Sequence, residues 1–230
     1  MIETKDILAK NKEFKKYILQ NGEIADILSY ISKKRKSVYI FSGVIKDFFL
    51  GRKIENIRDI DIVISGSSVP KDLIGEAPVL CGNTLFNNGA IKFTTYSLLR
   101  IDVWNLKNDF GLNNMGLEAK PESLLKTCLY NFQQIVYDWK NEKFIVGNGF
   151  IDFLNNKVID VVNKEHPWRE FVIINTMKYK EELGYSIGES LKKLVKKYYI
   201  ENLNDFYTAQ IHIFGHEQYG NDAIEDFCLL

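Results

Sequence analysis

The run Arg58-Asp59-Ile60-Asp61-Ile62-Val63-Ile64-Ser65 constrains this chain more than any other stretch. Successive side chains of an extended strand point to opposite faces, so Asp59 and Asp61 share one face while Ile60, Ile62 and Ile64 share the other. The isoleucines need a core, and the carboxylates need water or cations. Such a strand belongs in a sheet with one open face. Two carboxylates one strand repeat apart, roughly 7 Å between alpha carbons, can converge on a pair of hard cations about 3.5–4 Å apart. Phosphoryl and nucleotidyl transfer are usually arranged in that way.

The residues leading into this strand follow a matching logic. "SVYIFSG" (37–43) is rich in β-formers and ends at Gly43, "VIKDFFLG" (44–51) reads as a compact helix stopped by Gly51, and "GSSVPK" (66–71) ends the aspartate strand. Glycine at a strand-to-helix turn lets the backbone approach phosphates, a helix start presents unpaired N–H groups, and the Ser42 hydroxyl adds a donor. A third carboxylate is expected from a neighbouring strand. Asp102 in "LLRIDVWNL" (98–106) qualifies, because Ile101 and Val103 face one way there and Asp102 and Trp104 the other.

Helical periodicity covers about 5–20 and 23–34, strand-like runs lie within 78–105, and a helix is expected after Pro121. The segment 135–161 alternates as hairpin strands, with turns at "WKNEK" and at "NGF" or "NN". From about Asn163 the pattern turns helical. The expected class is α+β: a mixed or antiparallel sheet of about five strands with flanking helices over 1–163, then an all-helical part over 164–230.

Composition sets limits. With 230 residues, 46% of them hydrophobic, the chain can bury a substantial core, and its formal net charge of zero excludes the bulk positive field of a protein that holds long nucleic acid by its backbone alone. Nucleic-acid contacts must be local. Cys81, Cys128 and Cys228 include no C-x-x-C pair, which argues against a disulfide framework or a zinc ribbon and for a reducing cytoplasm. The N-terminal "MIETKDILAKNKEF" has no apolar stretch, no run reaches membrane-spanning length, and "FCLL" places its cysteine one position too late for prenylation, so no membrane partner is expected. The basic run Lys33-Lys34-Arg35-Lys36 reads as a solvated helix end. Lys192, Lys193, Lys196 and Lys197 form a second stripe, equally suited to an acceptor strand or a polar face. His212 and His216 lack the H-E-x-x-H order, so no zinc site is expected.

The segment "FSGVIKDFFLGRKIENIRDIDIVISG" (41–66) resembles the head-domain signature of the tRNA nucleotidyltransferase (CCA-adding) and bacterial poly(A) polymerase family, G-G-x-V-R-D-x-L-L-G-R followed by D-x-D. Ser42 stands for the first glycine and Lys46 for the arginine, which loses the guanidinium fork; Gly43, Val44, Asp47, Leu50, Gly51, Arg52, Asp59 and Asp61 match. Residues 124–145 are similar to the family's R-R-D-F-T-x-N-A stretch, with Lys126 and Asn131 on matching places and Thr127 replacing the aspartate; Asp138, Asp152 and Asp160 also match. "EHPWREFVIINTMKYKEELGYSI" (165–187) is similar to the neck-domain E-D-x-x-R segment, where Glu165 and Arg169 match and His166 replaces the aspartate. In the family that aspartate and arginine select the incoming base through its Watson-Crick edge, and a histidine supplies only part of that pattern.

The resemblance covers roughly residues 36–200. It implies a polymerase-β-like head, a helical neck, and a metal-dependent, template-independent transfer of NMP from ATP or CTP to an RNA 3′ hydroxyl, tRNA or tRNA-like, with release of pyrophosphate. Asp59, Asp61 and Asp102 would hold two Mg2+ ions, with Mn2+ as a substitute, and Asp102 would also activate the hydroxyl. Ser42, Gly43, Lys46, Asp47, Arg52, Lys126 and Asn131 would hold the nucleotide, and Glu165, His166 and Arg169 its base. The family's body and tail domains, which grip the tRNA elbow, have no counterpart in these residues, so a shorter acceptor, a protein partner or a homo-oligomer is expected. The rival readings are modification of a small molecule or protein, and a non-catalytic member that binds nucleotide or a partner.

Overall fold

The computed structural model describes residues 1–35, 37–41, 43–66, 73, 80–86, 89–201 and 206–229. They form two compact units: Met1–Cys128 with Phe132–Ile151, and Leu129–Asn131 with Asp152–Leu230.

The first unit opens with α1 (Thr4–Ala9), α2 (Asn11–Leu19) and α3 (Gly22–Lys34). The helix expected over 5–20 is split, because Lys10 leaves helical geometry at φ −87°, ψ 5°. Asn21 starts α3, its side chain accepting from the backbone N–H of Ile24 at 3.2 Å. Strands follow as β1 (Ser37–Phe41), β2 (Asp59–Ser65), β3 (Leu80–Leu85), β4 (Ile91–Thr95), β5 (Arg100–Asn105), β6 (Ile135–Asp138) and β7 (Lys143–Val146), with α4 (Gly43–Phe49), α5 (Phe110–Asn114) and α6 (Pro121–Thr127) between them. Proline occupies the first turn of α6, where its missing N–H costs nothing.

The sheet has seven strands rather than about five, in the order β3-β4-β5-β2-β1-β6-β7. The outer pair at one edge is the β6-β7 hairpin expected from residues 135–146. All pairings are antiparallel except β2 with β5, and that parallel pair places the functional residues. The aspartate face is not open along its whole length. Val63 shares it with Asp59 and Asp61, yet is buried with Tyr39, Leu106, Leu112, Leu124, Leu125 and Val136. Leu112, Leu124 and Leu125 bring α5 and α6 over the Val63 end of this face, while Asp59 and Asp61 stay half-buried beyond it.

A second departure concerns 148–156, expected as strand and turn but folded as α7 (Asn148–Asn156). Phe150 and Phe153 are both fully buried, a spacing of three that a helix brings to one side and a strand would split across two faces. In the second unit, β8 (Val158–Ile159) pairs in parallel with β9 (Ser186–Ile187), and the helices are α8 (Arg169–Leu183), α9 (Glu189–Glu201), α10 (Tyr207–Phe214) and α11 (Asn221–Leu229). Gly184 ends α8 at φ +65°, the left-handed conformation expected of it. Asp160 accepts from the backbone N–H of Leu191 at 2.9 Å and so caps α9; a Cβ on Gly188 would strike this carboxylate. No helix among the described residues is long and apolar enough to cross a membrane.

Candidate functional site

The parallel register sets Asp61 opposite Asp102 and Asp59 opposite Arg100, while β1 places Phe41 on the other side of Asp61. Strands in a ladder lie about 4.8 Å apart, so three carboxylates from two neighbouring strands share one patch of sheet. Each has a distinct setting. Asp59 Oδ2 meets Arg58 Nη2 at 3.3 Å and Arg100 Nη2 at 3.5 Å. Asp102 Oδ2 meets Lys92 Nζ at 3.6 Å, Lys92 standing across from it on β4. Asp102 Oδ1 is buried and has no hydrogen-bond partner among the described residues. Asp61 has no ion pair among the described residues; burial first, then the charges of Asp59 and Asp102, push its carboxyl up to about 7. Burial raises Asp102 as well, against the opposing pull of Lys92.

Among the described residues, no three His, Cys, Asp or Glu side chains stand in an arrangement ready to hold a metal ion. The donor chemistry nevertheless fits a hard divalent cation: only carboxylate oxygens, one of them buried without a partner among the described residues, and one carboxyl raised by burial and by like charges that a cation would offset. Asp59 and Asp102 already carry side-chain cations. Pairs this exposed are worth about 0–1 kcal/mol, so a divalent ion can displace them.

The nucleotide side is less uniform. Ser42 lies outside the described residues. Gly43 opens α4 directly beyond β1, and a Cβ there would meet nothing within 4 Å, so packing inside the chain does not demand glycine at this position. Lys46, expected to face the phosphates, is instead buried: its ammonium meets Asp47 Oδ1 at 3.1 Å and lies 5.7 Å from the centre of the Phe132 ring. Arg52 Nη1 reaches the same Asp47 oxygen at 3.1 Å, so Lys46, Asp47 and Arg52 form an ionic brace at the foot of α4. The cause is Phe132, which arrives from far along the chain and covers the lysine. Lys126 is exposed on the last turn of α6.

The remaining expected residues lie in the second unit. Asn131 is buried and spends its carboxamide on the fold, donating to the Val158 carbonyl at 2.9 Å and accepting from the Asp160 N–H at 3.1 Å. Glu165 is exposed. Burial lowers the His166 imidazole below its usual range, and the Trp168 N–H points at Nδ1 from 3.4 Å, which leaves the hydrogen of the neutral ring on Nε2. Arg169 begins α8, donates to Glu201 Oε2 at 3.0 Å and lies 5.3 Å from the Tyr198 ring centre. Glu201 was not singled out from sequence. It stands 32 residues from Arg169, and only the packing of α8 on α9 brings the two together. His212 packs on Phe171, and α10 ends at Gly215 before His216 is reached.

No protein family's sequence profile matches this chain, and no curated protein matches it. Solved structures do match. A CCA-adding enzyme in complex with CTP aligns over 82% of this chain and 46% of its own, with a TM-score of 0.61 and 16% identity. The Thermotoga maritima CCA-adding enzyme complexed with tRNA aligns over 79% of this chain and 44% of its own, TM-score 0.58, 18% identity. A tRNA nucleotidyltransferase with a primer tRNA and an incoming ATP analogue aligns over 82% of this chain and 62% of its own, TM-score 0.55, 17% identity. The likeness establishes a shared fold. The chain spans between 44% and 62% of the length of these structures.

Proposed function

We propose that this chain is a divalent-metal-dependent nucleotidyltransferase that moves NMP from an NTP to the 3′ hydroxyl of an RNA, tRNA or tRNA-like. The observation that carries the proposal is the β2-β5 register, which sets Asp61 beside Asp102 with Asp59 one strand repeat away. The fold is that of structures solved with CTP, with an ATP analogue and with tRNA, which favours a nucleotide and an RNA as substrates.

Asp59, Asp61 and Asp102 would hold two Mg2+ ions, which when bound polarise the α-phosphate and lower the pKa of the attacking hydroxyl. Asp102 Oδ1, which has no partner of its own, is suited to receive that hydroxyl's proton. The open space at Gly43 admits phosphate oxygens close to the backbone. The Lys46–Asp47–Arg52 brace fixes the helix that begins there. Arg58, Arg100 and Lys92 neutralise the carboxylates before metal arrives and are then free to face the triphosphate.

The assignment is tested by incubating the protein and Mg2+ with each labelled NTP, first with total tRNA and then with total protein and small-molecule extracts. Label in RNA is expected. Label in protein or a small molecule would replace the acceptor, and calorimetry showing no Mg2+-dependent NTP binding would replace catalysis with a binding role. Two results should accompany it. Asp61 must ionise to bind metal, so Mn2+ affinity measured by electron paramagnetic resonance is expected to rise about tenfold per pH unit below about pH 7 and to level off above it. A flat profile would remove Asp61 from the ligand set. Lys92→Met removes a competing cation from Asp102 and is expected to tighten Mn2+ binding by up to about fivefold.

A further inference from the structure

The second unit contains a groove of about 670 Å3 whose walls are basic. Lys180 of α8 and Lys192, Lys193 and Lys196 of α9 line it, and Phe227 of α11 and Ile187 of β9 give it an apolar floor. The acidic residue in the lining, Glu189, is already bonded to Lys192 Nζ at 3.0 Å. Lys180 Nζ lies 5.3 Å from the centre of the Phe227 ring, so one ammonium already sits on the aromatic face. Formal charge over the whole chain is zero, so these lysines are a local concentration and not a sample of a basic protein. Packing does not require them, because α9 buries Leu191, Leu194, Val195 and Tyr198 and leaves the lysines exposed.

We infer that this groove takes a single-stranded RNA segment, with phosphates on the lysines and sugar or base against Phe227 and Ile187. Lys192 and Lys196 are one helical turn apart, a rise of about 6 Å, which is close to the spacing of successive phosphates along a strand. A mixed surface of ammonium groups around a half-buried aromatic ring suits a single-stranded nucleic acid, whereas an acidic peptide would gain little from the aromatic floor. The volume is that of a site for a nucleotide-sized segment. The inference rests on the RNA acceptor proposed above, but it concerns binding and not transfer.

The test uses the full chain carrying Asp61→Asn, so that no transfer occurs, and follows anisotropy of a labelled single-stranded oligoribonucleotide. Adding Lys193→Ala with Lys196→Ala is expected to weaken binding about tenfold at low salt. It should also make the slope of log affinity against log salt shallower by about 1.4, since each single-strand phosphate contact contributes about 0.7. Lys193→Arg with Lys196→Arg should keep both. An unaltered melting curve shows that the variants fold, as exposed lysines should allow. Unchanged affinity and slope in the alanine pair would overturn the inference, and so would equal competition by an oligoglutamate peptide. The two proposals fail separately. Lysine-dependent RNA binding by a wild-type chain that labels no RNA sinks the transferase and keeps the groove; transfer with lysine-independent binding does the reverse.

Discussion

Asp61→Asn is expected to abolish nucleotidyl transfer and, at the same time, to raise the melting temperature of the metal-free protein. The first effect should be about a thousandfold or more, because the substitution removes a charged ligand from the proposed metal site, which would support several kcal/mol of transition-state stabilisation. The second follows from the same carboxylate's surroundings. Folding pushes the Asp61 carboxyl from 3.8 up to about 7, by burial and by the charges of Asp59 and Asp102. Between those values the folded chain holds a proton that the unfolded chain has released, so stability falls as pH rises through the window. Asparagine carries no such charge. Its advantage should be absent below about pH 4, grow with pH, and be complete above about pH 7. Asp61 is only partly buried, so solvent screening reduces the gain to about 1–3 kcal/mol, at roughly 2–4 °C per kcal/mol for a chain of this size. Thermal melts near pH 5 and pH 8, with Mg2+ and with chelator, are the measurement. Mg2+ should stabilise the wild type and leave the variant unmoved. A variant less stable than wild type at alkaline pH would mean that Asp61 is held by a partner and not strained by its neighbours.

The site is legible in sequence where its pattern is local and illegible where it depends on register. The alternation of Asp59 and Asp61 with three isoleucines is local, and period two alone is enough to place it on a strand with a carboxylate face. The parallel register is not local. Asp61 meets Asp102 only because β3 and β4 form an excursion that returns β5 beside β2, and nothing in either segment states the offset. Asp102 was therefore identifiable by type and setting, while its opposition to Asp61, its Lys92 partner and its orphaned oxygen were visible only in the fold.

Long-range packing accounts for the other departures. Lys46 lies in a helix read correctly from its flanking glycines, yet its ammonium turns inward because Asp47 neutralises it and Phe132 covers it. The α7 segment holds apolar residues at 150, 151, 153 and 154, which satisfies a helix, while the surrounding hairpin pattern invited a strand reading. Asn131 falls on a plausible nucleotide-contact position, but β8 closes around its carboxamide. At Lys46 and Asn131 the residue type was informative, but Phe132 and the strand around Val158 that decide their settings lie far along the chain.

Arg169→Ala is expected to erase most of the chain's preference among nucleoside triphosphates, with less effect on the rate for the worst of them. The resemblance gives Arg169 a role in reading the incoming base; Arg169 donates to Glu201 Oε2 at 3.0 Å, and the neutral His166 ring three residues earlier carries its hydrogen on Nε2. A donor and an acceptor that both face the base can distinguish one that presents an exocyclic amino group from one that presents a carbonyl, and a well-placed pair is worth about 1–3 kcal/mol, or roughly 5- to 150-fold. Lysine at 169 should not restore the preference, because it lacks the planar fork that holds two hydrogen bonds in one orientation. His166→Asp replaces an outward donor with an acceptor and should move the preference toward the amino-bearing bases, cytosine and adenine. Glu201→Ala should move it away from them. Single-nucleotide incorporation with each of the four NTPs, compared as ratios of kcat/KM, separates these outcomes from a general loss of activity. If the ratios in all four variants equal those of the wild type, Arg169, Glu201 and His166 serve the packing of α8 on α9, and the choice of nucleotide is made elsewhere.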